Sequence, residues 1–588
     1  MDQSKSDNLK ALRHSAEHIL TQALQNLYGK DKFYMAMGPA TNDGFYFDFE
    51  PIGDFKISEA DFPKIEAEIQ KIIKANLPIT QNNITLDEAK KLFSTNPYKL
   101  EWLDQIKDRG EKISVYWTGD QFVDLCKGPH VKSTGDVVAV KLMSIAGAYW
   151  HGDEKNKMLT RIYGTAFPSQ SELEEYLHMF EEAKKRDHRK IGKDLDLFSF
   201  HPEAPADVFW HDKGYTLMRL LFDYWRQVHR QQGYQEVRTP EIMTNSIWQR
   251  SGHLKSYSQK IYKIATPDSD EWNMAVKPMN CNGGMLIYNS SPKSYKDLPL
   301  KIGELGIVHR YESSGETHGI IRPREFTQDD AHIFCTPNQV KDEIKKVMDL
   351  CFSFYKVFGL QLDHLELSTR PENSIGSDEI WDKAESIMKQ ILEEGNTPYQ
   401  INEADGAFYG PKFDFHLKDS VGRTWQCSTI QLDFAQPENF DLEYTAEDGS
   451  KQRPVMIHRV IYGSVERFLG ILIENCAGAF PTWLSPIQAK IIPITDKQNN
   501  YAQKVYHQLF DQGFRVEIDD RSETMQKKIK EATDQKIPYM LIIGGREVDS
   551  NQISVRQRNG IDLKSMPLAD FIRQITKQVT EKSLNLIK

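Results

Sequence analysis

Cysteine is scarce in this chain, with six residues scattered singly along 588. Such spacing builds no disulfide framework and fits a reducing compartment. No stretch approaches the roughly 20 consecutive apolar residues that a membrane helix needs. The opening Met-Asp-Gln-Ser-Lys-Ser-Asp lacks the apolar segment of a signal peptide. The expectation is a cytoplasmic protein with no membrane partner. Internal repeats and low-complexity tracts are absent, and no Gly-x4-Gly-Lys-Ser/Thr loop occurs, which excludes P-loop chemistry. Positive charge is in deficit: 74 Lys+Arg face 84 Asp+Glu, a net −10. That balance argues against a protein that coats nucleic acid, but the deficit is uneven. Residues 486–588 carry 17 basic against 13 acidic residues, or +4, leaving −14 for the remainder. A large acidic protein still holds RNA through a local basic surface.

Apolar material is ample, with 39% hydrophobic residues including 10 Trp, 24 Tyr and 29 Phe. At this length one core is insufficient, and three or four domains are expected. The first block, to about residue 168, opens with an amphipathic helix over Asn8–Tyr28 and continues with short strands and Gly/Pro turns. A charged helical stretch, Glu172 to Lys190, reads as a solvated linker. From Asp194 to about Leu484 long helices alternate with extended segments. The last block alternates strand and helix from Ala489 to Ile543, which predicts an α/β domain with a largely parallel sheet.

Three distant segments carry the chemistry: Pro278-Met279-Asn280-Cys281, Asp330-Ala331-His332 and Ile457-His458-Arg459. One thiolate and two imidazoles make a three-ligand zinc set with the fourth tetrahedral position open for a substrate. Period-2 alternation in Val308–Glu312 places Arg310 and Glu312 on one strand face. After a loop over Ser313–Arg324, Phe326, Gln328, Asp330 and His332 share one face of the returning strand. That row presents a ring, an amide, a carboxylate and a metal ligand to a single cavity. Gly463-Ser464-Val465-Glu466-Arg467 follows His458 and opens an apolar helix. Between Gly214 and Gln232 apolar residues recur at helical spacing, Gly233 stops the helix, and a strand ending at Pro240 follows.

Together these segments resemble the catalytic core of class II aminoacyl-tRNA synthetases, and within them the threonyl-tRNA synthetase family. The match extends over almost the whole chain. The long helix and Pro240 look like motif 1, the family's dimer element, implying a homodimer. By resemblance Arg310 binds the α-phosphate of ATP, Phe326 stacks on adenine, Glu312 reads its amino group, and Arg467 of motif 3 meets the γ-phosphate; magnesium accompanies the ATP. Gln426 and Lys412 match active-site positions near nucleotide and substrate. One zinc per chain on Cys281, His332 and His458 explains the choice of amino acid, because a site that must ligate a hydroxyl rejects valine, which a hydrophobic pocket does not. Asp330 resembles the acceptor for the threonine hydroxyl, and Met279, Gln328, Tyr409 and Gln431 match other pocket positions. The family commonly reads Asn-Cys-Pro-Gly-His, whereas this chain reads Asn280-Cys281-Asn282-Gly283-Gly284. The ligand is kept and the residues after it differ.

Serine also has a hydroxyl and an amine, and one lost methyl is worth only about 1–3 kcal/mol. A threonine-specific ligase therefore needs a second, hydrolytic site. Along the first helix Leu9, Leu12, Ala16, Ile19, Ala23 and Leu27 form one stripe, with His14 and His18 on the opposite side. Downstream, Asp124 and Cys126 share a strand face and His130 follows a Gly-Pro turn. By residue type His14, His18, Cys126 and His130 read as a four-ligand zinc site. By resemblance they are the metal-free editing pocket of bacterial threonyl-tRNA synthetases, with Lys99 matching an editing lysine. Many bacterial members carry a small ubiquitin-like domain ahead of this one; this chain opens at the editing helix.

The resemblance thus implies α+β and α/β architecture: an α+β editing domain (1–168), a linker helix (169–190), a class II catalytic domain with an antiparallel sheet (191–484) and an α/β anticodon-binding domain (485–588). Glu547 and Arg556 match positions that read anticodon bases, and splayed loop bases are what RNA-reading side chains address. The implied activity is ATP-dependent ligation of L-threonine to tRNA(Thr) through a threonyl-adenylate, with hydrolysis of mischarged seryl-tRNA. A non-catalytic synthetase-like RNA-binding regulator is the alternative of another class, and a ligase for a different amino acid a third. Both phosphate arginines with a complete Cys/His/His set oppose the former, and the zinc set with Asp330 opposes the latter.

Overall fold

The computed structural model describes residues 3–41, 43–268 and 271–587; Met1 and Asp2 of the polar opening lie outside them. The chain divides into two compact units, one ending at Glu181 and the other beginning at Glu182.

In the first unit helix α1 (Gln3–Tyr28) runs through the core. Leu12, Ala16, Ile19, Leu20, Ala23 and Leu24 are buried against a four-stranded antiparallel sheet rich in Phe and against the helix Phe62–Lys74. The side of α1 expected to be polar is covered too. Ser15 and His18 are buried where a second, three-stranded sheet and its following loop close over it, and Arg13 and Glu17 against the segment 38–41. Helix α2 (Pro97–Asp108) starts at Asn96, whose side chain accepts from the amides of Tyr98 and Lys99. Strand β1 (Phe122–Leu125) belongs to the three-stranded sheet.

The charged stretch at the unit boundary is two helices and not one. Helix α3 (Gln170–Lys185) buries only Leu173. A new helix, α4 (His188–Asp194), begins where the Asp187 side chain accepts from the Arg189 amide at 2.8 Å. Its His188 is fully buried and bonds Glu474 at 2.7 Å, so residues beyond 187 belong to a core and not to a solvated linker.

In the second unit helix α5 (Asp212–Gln231) matches the expected span and is followed by Gly233 at φ +79°, a left-handed position that favours glycine. Only Gln235–Glu236 of the strand expected before Pro240 is paired, and it runs parallel to its neighbour. Helix α6 (Cys281–Tyr288) precedes the main sheet. That sheet has eight strands, its central ones β2 (Leu300–His309), β3 (Glu325–Cys335), β4 (Gln361–Ser368), β5 (Lys412–Lys418), β6 (Thr424–Asp433) and β7 (Val455–Val460). Their spatial order is β2-β3-β7-β6-β5-β4, every pair antiparallel. Two short strands pair in parallel at the two edges. One face packs on α5, the helix Val340–Phe358 and helix α7 (Val465–Asn475) in a large apolar core; the other carries the polar row. The C-terminal sheet has five strands, of which three are parallel and the last two, Gln552–Gln557 and Asp562–Pro567, antiparallel. The largely parallel sheet expected there is therefore mixed. A hairpin beyond the span read as alternating strand and helix ends it.

Candidate functional site

Strand β3 is regular, so Phe326, Gln328, Asp330 and His332 alternate onto one face as expected. Strand β2 ends at His309, one residue short of Arg310, because the ladder closes at the His309–Glu325 pair and the chain then turns. Arg310 and Glu312 thus extend from the turn and not from the strand. The Arg310 amide donates to Arg324 O at 2.8 Å, and its Nε donates to Pro278 O at 3.1 Å. Its guanidinium stands 5.1 Å from the Phe326 ring.

Two clefts of about 1000 and 740 Å³ adjoin over this face. Met279, Cys281, Asp330, Tyr409, Lys412, Gln431 and His458 line the first. Glu312, Phe326 and Arg467 line the second. Arg310, Gln328 and Gln426 line both, which puts the expected nucleotide and amino-acid sets on either side of one seam. Arg467 sits in the first turn of α7, where Ser464 accepts its amide at 3.1 Å. Its Nε is buried without a hydrogen-bond partner, and burial lowers its pKa. A half-buried guanidinium with an open donor suits an anionic ligand. The Glu312 carboxylate holds Lys260 at 2.6 Å.

Asp414 is the organiser that sequence reading missed. It is almost wholly buried, accepts from Gln426 at 2.6 Å and from Thr429 at 2.7 Å, and pairs with Lys412 at 2.8 Å. Burial disfavours the Lys412 charge, yet Asp414 and Asp405 raise its pKa. Alternation from Lys412 along a strand was the signal that would have found Asp414. Tyr409 donates to Gln431 at 2.5 Å and its ring lies 4.8 Å from that of His458.

His332 and His458 are register partners on β3 and β7, with ring centroids 5.0 Å apart and planes nearly perpendicular. Nε2 of His458 is 2.9 Å from Asp433, which leaves Nδ1 free. His332 Nε2 is buried without a hydrogen-bond partner, and burial holds its pKa well below the usual value, so the ring is neutral. Cys281 opens α6 beside them, buried, its thiol pKa pushed up by burial. The three residues after it lie inside α6. Asn282 donates to Ser251 at 3.1 Å, and a Cβ at Gly284 would stand 3.2 Å from His332 Nδ1. Small residues there let the helix approach the imidazole. Among the described residues, Cys281, His332 and His458 are not one of the groups whose ligand atoms all lie within 4.8 Å of one another.

His14, His18, Cys126 and His130 are such a group. Cys126 Sγ lies 3.3 Å from His14 Nε2 and 3.1 Å from His130 Nε2. Ser15, which sequence reading passed over, donates to Ala11 O and so accepts from His130 Nδ1 at 3.0 Å. That bond fixes the tautomer and turns the Nε2 lone pair toward the thiol. Burial drives the pKa of His130 to about 2, lowers those of His14 and His18, and pushes Cys126 up to about 12. The cluster is thus three neutral imidazoles and a neutral thiol. Lys99 and Asp124, both buried, form an ion pair at 2.6 Å on the same cleft of about 1260 Å³. Glu17 lines it as well, its pKa raised by burial and its Oε1 accepting from Thr21 at 2.9 Å. Its place one turn beyond His14 on α1 was the available clue.

In the C-terminal block Glu547 accepts the Gly544 amide at 2.9 Å and the Ser565 hydroxyl at 3.3 Å. Arg556 is exposed on the strand Gln552–Gln557. Glu547 is therefore engaged as a helix cap, whereas Arg556 faces solvent.

A six-stranded antiparallel core extended by a parallel strand at each edge, with Arg310 and Arg467 at its clefts and Cys281, His332 and His458 beside them, defines a class II aminoacyl-tRNA synthetase core. Residues 262–476 match the tRNA synthetase class II core domain (G, H, P, S and T), residues 488–578 an anticodon binding domain, and residues 113–163 the threonyl and alanyl tRNA synthetase second additional domain. The chain is 54% identical over 573 residues to the threonine–tRNA ligase of Caldanaerobacter subterraneus subsp. tengcongensis, covering 97% of this chain and 87% of that protein. It is 53% identical over 572 residues to that of Carboxydothermus hydrogenoformans, covering 97% and 89%. Among solved structures, the RNA binding domain of threonyl-tRNA synthetase from Cryptosporidium parvum matches at a TM-score of 0.64 and 38% identity, over 66% of this chain and 98% of that one. The chain belongs to the threonine–tRNA ligase family. Among the described residues no helix is long and apolar enough to cross a membrane.

Proposed function

We propose that this chain ligates L-threonine to tRNA(Thr) through a threonyl-adenylate and hydrolyses mischarged seryl-tRNA(Thr) in its first unit. The observation that carries the reading is the seam of Arg310, Gln328 and Gln426, which joins a phosphate-suited cleft to a polar amino-acid cleft. ATP is seated with its phosphates at Arg310 and Arg467, its adenine on Phe326 and Glu312, and magnesium with the phosphates. Lys412 and Gln426 contact the reacting groups, and Asp330, Met279, Gln328, Tyr409 and Gln431 hold threonine.

The donor chemistry around Cys281 fits zinc. His332 offers a buried nitrogen that makes no hydrogen bond and stands 3.6 Å from Asp330, and Asp433 orients His458 as an outer carboxylate does for a metal-bound imidazole. Zinc there would supply an open coordination position that a side-chain hydroxyl fills and a methyl does not. We place the editing site at His14, His18, Lys99, Asp124, Cys126 and His130 without a metal, and anticodon reading at Arg556 and Glu547. The domain spans that go with this reading are 1–168, 169–190, 191–484 and 485–588, in a cytoplasmic homodimer paired through α5.

Charging assays with threonine, serine and valine test the proposal. The parent is expected to charge threonine and reject valine, with about one zinc retained on the core set. Cys281→Ser is expected to lose threonine activation while ATP still binds. Full activation of threonine by a zinc-free preparation would overturn the metal assignment.

A further inference from the structure

We infer that His364, Glu366 and His416 form a second metal site in the catalytic unit, one that takes a divalent transition-metal ion such as Zn²⁺. None of the three lines either cleft described above. His364 and Glu366 are two residues apart on β4, and His416 is the register partner of His364 on β5. The imidazole rings stack at 4.3 Å with planes 8° apart. His364 Nε2 is 3.1 Å from Glu366 Oε1, and His416 Nε2 is 3.4 Å from Glu366 Oε2. All three ligand atoms lie within 4.8 Å of one another. Tetrahedral arms of about 2.0–2.1 Å place ligand atoms roughly 3.3–3.4 Å apart, so the spacing needs little change to take an ion.

Hydrogen bonding around the cluster points the same way. His364 Nδ1 lies 2.8 Å from the Asp363 carboxylate, which orients the ring with Nε2 toward Glu366. His416 Nε2 is buried and makes no hydrogen bond. Asn402 donates to Glu366 Oε2 at 3.0 Å and holds the carboxylate in place. The side chains retain 24, 19 and 17% exposure for His364, Glu366 and His416, so an ion enters from solvent and keeps water in its open positions. Imidazole ligands favour zinc, copper, nickel or cobalt over magnesium or calcium. His416 pairs with Gln426 in the neighbouring strand, which sets the ion one register step from the seam of the active site.

The test is zinc stoichiometry by equilibrium dialysis and elemental analysis of the full chain, its Cys281→Ser variant, and each of these carrying His416→Ala or Glu366→Gln. Both changes are expected to remove one zinc equivalent at low micromolar free zinc, in the parent and in the Cys281→Ser background alike. That crossing separates this site from the core set, whose loss leaves the difference unchanged. Equal stoichiometry with and without the substitutions would overturn the inference. A crystal of the unsubstituted chain equilibrated with zinc gives a reading independent of variant folding. An anomalous peak among the three side chains supports the site, and its absence at an otherwise ordered His364–His416 pair rejects it in favour of an imidazolium bonded to Glu366.

Discussion

Arg467 lines the second cleft with a buried, open Nε, and Arg310 lines both clefts, steered by Pro278 O and the Phe326 ring. Removing one preorganised counter-charge to a developing anion typically costs about 10²–10³ in rate. Arg310→Ala is therefore expected to lower threonyl-adenylate formation by that factor in pyrophosphate exchange, with an unchanged thermal midpoint. Activation within a few-fold of the parent would remove Arg310 from the machinery. At this scale the row Phe326, Gln328, Asp330 and His332 was legible because strand alternation alone places it on one face. Asp414 was not. Its role depends on Lys412, Gln426 and Thr429 converging from two strands, which no single segment announces. The pairing of Lys99 with Asp124 likewise joins residues from α2 and β1 whose contact only the fold creates.

Elements hold these residues through main-chain contacts. Helix α7 is tied to β3 where Glu466 Oε2 accepts the Thr327 amide at 2.8 Å and the Ser464 hydroxyl at 3.1 Å. Burial raises the Glu466 pKa to about 7. A carboxyl whose folded pKa exceeds its unfolded value binds its proton more tightly in the fold. Its contribution is complete below about pH 4.5, the ordinary glutamate range, and is lost as pH rises through 7. The loss is on the order of a few kcal/mol. The thermal midpoint of the second unit is expected to fall between pH 5 and 8, and Glu466→Gln to flatten part of that fall. Asp329, raised by burial to about 7, titrates in the same direction and maintains the rest. Parallel pH profiles for parent and variant would show that Glu466 is not titrating there. Element types were readable from periodicity, but their ends were not. The helix over 172–190 breaks at Asp187 because a local cap and the His188–Glu474 bond outweigh helix propensity across the break. The C-terminal sheet turns antiparallel where the short helix Gly545–Ser550 returns the chain beside Tyr539–Ile543, and a hairpin then adds the last strand.

At the scale of the whole molecule the two units have separate apolar cores. A chain starting at Glu182 is expected to charge threonine at a rate close to the parent's and to accumulate seryl-tRNA. His14→Ala with His18→Ala in the full chain is expected to do the same. A chelator is expected to stop charging and spare hydrolysis of preformed seryl-tRNA; hydrolysis lost with the metal and restored by zinc would make the N-terminal cluster a metal site. The order of domains was legible because each carries its own residue pattern, whereas how α1 is covered on its second side was not, since that depends on a sheet whose first strand begins only at Ile79. Two independent cores also mean that accuracy and speed are inherited separately. A lineage living where serine is dilute can let the first unit decay without slowing protein synthesis, and one under serine stress can sharpen proofreading without disturbing the ligase.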